Sequence, residues 1–415
     1  MNQRELFLQH IAQTSPTPLT LEIVKAEGSI LYDAAGKEYI DLIGGISVAN
    51  TGHRHPEVIA AIQKQLDAYL HIMVYGEFIE TPQVQYAKLL TDHLPSSLNS
   101  VYFTNSGAEA VEGAMKLAKR ITNRTQIVAF KNSYHGSTQG ALSIIGDEYW
   151  RNAFRPLLPG ILHLEYNSFE SIHSITEQTA CVIAETVQAE AGIIVPSVEW
   201  MQALRKKCTD TGTLLVLDEI QAGFGRTGKL WGFEHFDIVP DVLLLGKALG
   251  GGMPLGAFIA DRKLMQSLTD NPILGHITTF GGHPVCCAAG MAAMKVLLGG
   301  RNSVPSDQRN RVPLSMMDTV AEKEKLFLSL LVHPKIKAVR SLGLWMAVEF
   351  DSFETNKKII DYCIYAHGRG ERPDVCVLTD WFLFASNCLR ISPPLIITDE
   401  QIKYACKVIL ESCNY

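Results

Sequence analysis

The chain has 415 residues, enough for a large domain and a smaller one, and its 47% hydrophobic and 19% charged residues are ordinary for a globular enzyme. A net charge of -6 offers no basic field for nucleic acid, and no apolar stretch reaches the roughly 18 residues of a membrane span. Residues 1–20 lack a basic, then apolar, signal layout, so a soluble, cytoplasmic protein with no nucleic-acid or membrane partner is expected.

Read in chain order, residues 22–42 carry turn signals at Gly28-Ser29 and Ala35-Gly36 between short β-like runs, which predicts a meander. Residues 56–69 and 84–93 have helical spacing. From Val101 onward strands and helices alternate: a strand at 101–103, a helix at 108–121, then strands at 127–130, 181–184, 214–217 and 242–245. That rhythm predicts an α/β protein with a mostly parallel central sheet wrapped by helices. After a helix near 285–298 the texture changes. Residues 299–313 are polar, with two prolines, and read as a linker or surface loop. Beyond them come a helix, paired runs at 336–340 and 344–350, another helix, and a last helix at 399–412.

The nine cysteines are scattered, with only Cys286-Cys287 adjacent and no C-x-x-C pair. Buried free thiols are expected rather than a disulfide framework, and no metal site.

Asp218 and Lys247 are the most informative pair. Leu214-Leu215-Val216-Leu217 leads into Asp218, and Val242-Leu243-Leu244-Leu245-Gly246 leads into Lys247-Ala248-Leu249-Gly250-Gly251-Gly252. Such short apolar runs read as fully buried parallel strands, and ligands collect at the carboxyl ends of those strands. An amine and a carboxylate delivered there suit pyridoxal phosphate chemistry: an unprotonated lysine forms a Schiff base and an aspartate keeps the pyridine nitrogen charged. Taken alone, the pair reads better as a surface salt bridge. The surrounding segments overturn that.

Seven motifs occur in one order: Gly52-His53-Arg54-His55-Pro56, Asn105-Ser106-Gly107-Ala108-Glu109-Ala110, Tyr134-His135-Gly136, the stretch from Glu185 to Glu190, the two segments around Asp218 and Lys247, and Leu389-Arg390-Ile391-Ser392-Pro393-Pro394. Through them the chain resembles the class III, fold-type I pyridoxal phosphate aminotransferases, which include the ornithine, acetylornithine and 4-aminobutyrate enzymes. The resemblance implies a large cofactor-binding domain over 51–299 and a smaller α+β domain over 300–415, with residues 1–50 packing against the latter.

Site roles follow from the same resemblance. Lys247 and Asp218 are the expected catalytic residues. Ser106, Gly107 and Ala108 stand where a strand feeds a helix start, whose free N–H groups and dipole bind an anion, and the resemblance gives them the cofactor phosphate. Ser106 also suits a plain helix cap. Thr279 is implied to reach the phosphate of a neighbouring subunit, hence a homodimer with shared sites. Tyr134 is implied to stack on the cofactor, with His135 and Glu185 beside it, and Gln221 to bond its phenolic oxygen. Arg390 is implied to grip the α-carboxylate of glutamate or 2-oxoglutarate through a bidentate pair, and Glu190 to close on Arg390 when a different donor is bound.

Ser137 departs from the ornithine and acetylornithine enzymes, which carry a second arginine there, and Ile46 stands where the ornithine enzyme has a tyrosine. His283 replaces the usual asparagine, and 367–375 is irregular. The fitting reaction is a ping-pong transfer from a terminal or side-chain amine to 2-oxoglutarate. The alternative is another pyridoxal phosphate activity on the same fold, such as an aminomutase, racemase or decarboxylase.

Overall fold

The computed structural model describes residues 2–299, 315–365 and 375–415. Apart from Gly299 and Val375, the stretches 299–313 and 367–375 lie outside them.

Seven strands form the central sheet in the order Ser100–Thr104, Gly256–Ala260, Val242–Leu245, Leu214–Asp218, Thr179–Glu185, Gln126–Phe130, Ile161–Leu164. All run one way except Gly256–Ala260, which is antiparallel to both neighbours. Helices cover both faces, so Leu215, Val216 and Leu217 are fully buried, as are Val182, Ile183 and Ala184 next door. Each large aliphatic side chain removed from water contributes roughly 1.5–3 kcal/mol. A run of three outweighs the cost of ending the strand on one hydrogen-bonded carboxylate, Asp218. Two of the seven strands, Ile161–Leu164 and Gly256–Ala260, have no counterpart in the sequence reading. The first is a half-exposed edge strand, and the second follows a glycine-rich turn that masks its short apolar run.

The helix Gly107–Thr122 follows the strand Ser100–Thr104. Ser106, in extended backbone, caps it by accepting from the Glu109 N–H at 3.2 Å, and Asn123 ends it in the left-handed region at φ 55°. Its sheet-facing side is built of small residues. At Gly113 a Cβ would come within 2.4 Å of the Phe258 ring, so only glycine permits this approach.

The expected meander is present as Ile23–Glu27, Ile30–Asp33 and Glu38–Asp41, and Glu38–Asp41 pairs in parallel with Val375–Leu378. A further antiparallel sheet joins Ala338–Ser341, Met346–Glu349 and Cys388–Ile391, with Arg390 opposite Ala347. The helix expected at 84–93 is Thr81–Thr91, started by Pro82 in its first turn. His283 caps Pro284–Leu298, its Nδ1 accepting from the Val285 N–H at 3.3 Å, so the imidazole can do a cap asparagine's work. All nine cysteines are buried and unpaired, as expected. Among the described residues no helix is long and apolar enough to cross a membrane.

Candidate active site

The carboxyl ends of five strands meet at one cavity of about 290 Å³. Asp218 ends Leu214–Asp218, and Glu185, its register partner, ends Thr179–Glu185. Lys247 follows Val242–Leu245, Tyr134 and His135 follow Gln126–Phe130, and Gly107 and Ala108 follow Ser100–Thr104. All seven line the cavity together with Gln221, Glu190 and Ser137. The sheet therefore gathers residues that the sequence scatters over more than a hundred positions.

Both oxygens of Asp218 are held. Oδ1 accepts from the Ile220 N–H at 2.9 Å, and Oδ2 lies 2.7 Å from His135 Nδ1, with both side chains buried. Behind them Glu185 accepts from the N–H of Tyr134 at 3.0 Å and of Ala189 at 2.9 Å. Burial pushes the Glu185 carboxyl up to about 7; His135 pulls it down and Asp218 pushes it further up.

A carboxyl whose folded pKa lies above its unfolded value stabilises fully only below that unfolded value, near 4.3, and the contribution is lost as pH rises through about 7. The stability of the cofactor-free protein relative to Glu185→Gln is therefore expected to fall by on the order of 2–3 kcal/mol between about pH 5 and pH 8. Thermal melts of both proteins across that range measure it, and a gap that does not change with pH refutes it.

Lys247 opens the turn Lys247–Gly250 with φ 48°, left-handed backbone that is costly for a lysine and characteristic of functional positions. Its Nζ donates to Gln221 Oε1 at 2.7 Å. Burial lowers its pKa, against the opposing pull of Glu190 and Asp218, so a free amine is more accessible than in an ordinary lysine. Two buried nitrogens of the same cavity lining, Gln221 Nε2 and His135 Nε2, have no hydrogen-bond partner among the described residues. Buried polar atoms are seldom left so, and these two point to a ligand.

The donor set suits pyridoxal phosphate: an amine for an aldehyde, a fixed carboxylate for a pyridinium, the orphaned Gln221 amide for a phenolic oxygen, and a helix start at Gly107 and Ala108 for a phosphate. Ser106 acts as the helix cap. Tyr134 lines the cavity, its hydroxyl 3.1 Å from Ser137 Oγ. Thr279 is not at this cavity; it is exposed on the segment that carries Phe280.

A wider channel of about 1030 Å³ continues from Lys247 and Tyr134 past Ile46 to Arg390. Arg390 and Glu190, 200 residues apart in sequence, form a buried bidentate pair at 3.1 and 2.9 Å. Burial pushes Glu190 up, but Arg390 outweighs it and holds the carboxyl below its ordinary value. Burial opposes the charge on Arg390, and Glu190 and Asp380 outweigh it in turn. Asp380 was missed in the sequence reading: its Oδ1 accepts from Arg390 Nε at 2.7 Å. Also missed were Trp345 and Val187, which line the cofactor-sized cavity. Nothing in their spacing marks them, because each depends on which strands pair.

The model for the family "Aminotransferase class-III" matches residues 11–412. An acetylornithine aminotransferase of Methanopyrus kandleri is 36% identical over 409 residues, 98% of this chain and 97% of that protein. A LysW-aminoadipate semialdehyde/glutamate semialdehyde transaminase of Sulfurisphaera tokodaii is 42% identical over 278 residues, 67% of this chain and 70% of that one. Among solved structures, the ornithine aminotransferase of Toxoplasma gondii, with PLP at partial occupancy at its active site, superposes with a TM-score of 0.85 at 27% identity over 99% of this chain and 93% of that one. With a family match over nearly its whole length and a cavity that suits the cofactor, the chain belongs to the class III aminotransferases, pyridoxal phosphate-dependent enzymes of fold type I.

Proposed function

We propose that this enzyme moves an amino group from a terminal or side-chain amine of an ω-amino or diamino acid to 2-oxoglutarate, in two half-reactions at one site. The observation that carries this reading is the Arg390–Glu190 pair beside Lys247. A guanidinium fork fits a carboxylate, and here a protein carboxylate fills it. A dicarboxylate acceptor presents the same group and can take Glu190's place, whereas a donor without it leaves the pair closed. Ser137 puts a small hydroxyl where a second arginine would hold another carboxylate, so donor recognition leans little on such a group. The names of the relatives, acetylornithine and aminoadipate semialdehyde enzymes, support a donor with a side-chain amine.

When bound, pyridoxal phosphate supplies an aldehyde that takes up the amino group and a ring that stores the electron pair of the broken C–H bond. Lys247, whose pKa burial lowers, takes the proton from the substrate carbon at Nζ. Gln221 Oε1 holds that Nζ in place. Asp218, oriented by His135 and the Ile220 N–H, would offer its carboxylate to the pyridine nitrogen. The helix start at Gly107 and Ala108 would hold the phosphate, and Tyr134 would supply an aromatic face for the ring.

A panel of amines and ω-amino acids assayed with 2-oxoglutarate tests the reading; amine loss without consumption of an oxo acid would overturn it. Arg390→Ala is expected to weaken the glutamate half-reaction by about 2–5 kcal/mol, the usual loss for a truncated buried charge pair. A donor lacking the α-carboxylate should be far less affected, and equal damage to both half-reactions would show that Arg390 serves structure instead.

Two copies are also inferred to share their sites. Thr279 lies among exposed Ile277 and Phe280, and Phe280 packs on His71, next to exposed Leu70 and Ile72. A continuous apolar face of this kind marks an interface. Sedimentation at assay concentration should give a dimer, and an active monomer would refute it.

A further inference from the structure

Arg390 faces two carboxylates, and only one of them can be traded for substrate. Glu190 takes both terminal nitrogens, while Asp380 takes Nε at 2.7 Å from the other side. The remaining contacts come from the same stretch as Asp380. The Trp381 carbonyl accepts from Arg390 at 3.2 Å, and the Phe382 ring lies 4.3 Å from the guanidinium. The Leu383 N–H donates to Glu190 Oε2 at 2.9 Å. Backbone pairing fixes the stretch against the arginine's own strand: Arg390 N–H donates to the Asp380 carbonyl at 2.8 Å, and Trp381 bridges Leu389.

The guanidinium is almost wholly shielded from solvent, its side chain 3% exposed. If Glu190 were its sole counter-charge, moving Glu190 aside would leave a buried cation bare until the acceptor arrived, a strongly unfavourable state. Asp380 removes that penalty. Its side chain is 27% exposed and lines the wide channel; burial pushes its carboxyl up and Glu190 adds to that, while the Arg390 guanidinium it touches pulls the other way. Its single bond goes to Nε, so an incoming carboxylate can take the N–H groups of the two terminal nitrogens that Glu190 now holds, with Trp381 keeping its own bond to Nη2.

We propose that Asp380 is the positioning residue of the acceptor site, keeping Arg390 compensated and aimed while Glu190 gives way to the acceptor's carboxylate. This rests on the reading that Arg390 binds 2-oxoglutarate. The exchange is thereby a swap of one carboxylate for another on an arginine that stays in place.

The test uses the holoenzyme with Asp380→Ala and Asp380→Asn, the second keeping an oxygen for Nε without the charge. In Asp380→Ala the KM for 2-oxoglutarate and the dissociation constant of glutarate, an unreactive dicarboxylate measured by calorimetry, are expected to rise about ten- to a hundredfold, as for loss of one hydrogen bond to a charged group. Asp380→Asn should lie between wild type and Asp380→Ala. The half-reaction with an amine donor that lacks the α-carboxylate should stay within about twofold in both, since Glu190 remains closed there. Unchanged or tighter glutarate binding in Asp380→Ala overturns the inference, and so does an equal loss in both half-reactions. A wild type that neither turns over 2-oxoglutarate nor binds glutarate overturns instead the reading beneath it.

Discussion

Replacing Lys247 by alanine is expected to lower turnover by at least roughly 10²–10⁴-fold, the scale of removing a positioned general base, while the fold persists. The residue sits at the carboxyl end of a fully buried strand, with its amine made less basic by burial and held by Gln221. Its φ of 48° is strain that a merely structural lysine would have no reason to carry. Alanine relieves the desolvated amine, so melting should stay near wild type or rise, as is common when a strained functional residue is removed. Borohydride treatment of the holoenzyme, followed by peptide mapping, should find the cofactor fixed at Lys247. Label on another lysine, or substantial turnover in Lys247→Ala, would refute the assignment.

Asp218→Asn should cost several kcal/mol of activation barrier, roughly 10³-fold or more in rate. The substitution nearly preserves shape, and the Ile220 N–H can still bond the amide oxygen. What it removes is the charge, together with the acceptor at Oδ2 that orients His135. Because the site is closed to water on that side, no solvent dipole can replace the lost charge. Single-turnover rates with a good donor measure the effect. Near-normal rates would show that Asp218 only holds His135.

The two strongest elements of this site were legible because their signal is local. An unbroken apolar run that ends abruptly in Asp218, or in Lys247 followed by glycines, reports a buried strand from a few residues alone, while the role of the residue at its end rested on the whole series of motifs. Helix starts were legible for the same reason: Ser106 before Gly107-Ala108-Glu109 is a cap pattern that the backbone fulfils. The edge strand Ile161–Leu164 and the antiparallel Gly256–Ala260 were not, since a short strand is fixed by its neighbours more than by its own residues.

The sequence by itself determined the class of chemistry, through residue types whose reactivity belongs to them, an amine, a carboxylate and an arginine, set in an ordered series of motifs rather than in any one local pattern. Tertiary structure alone decided how those groups compensate one another. That Glu190 closes both terminal nitrogens of Arg390 while Asp380 holds Nε follows from strand register and from a reversal between residues 380 and 390. So do the orphaned nitrogens of Gln221 and His135. Charge pairing and desolvation fall off over a few ångströms of space, and distance along the chain does not encode them.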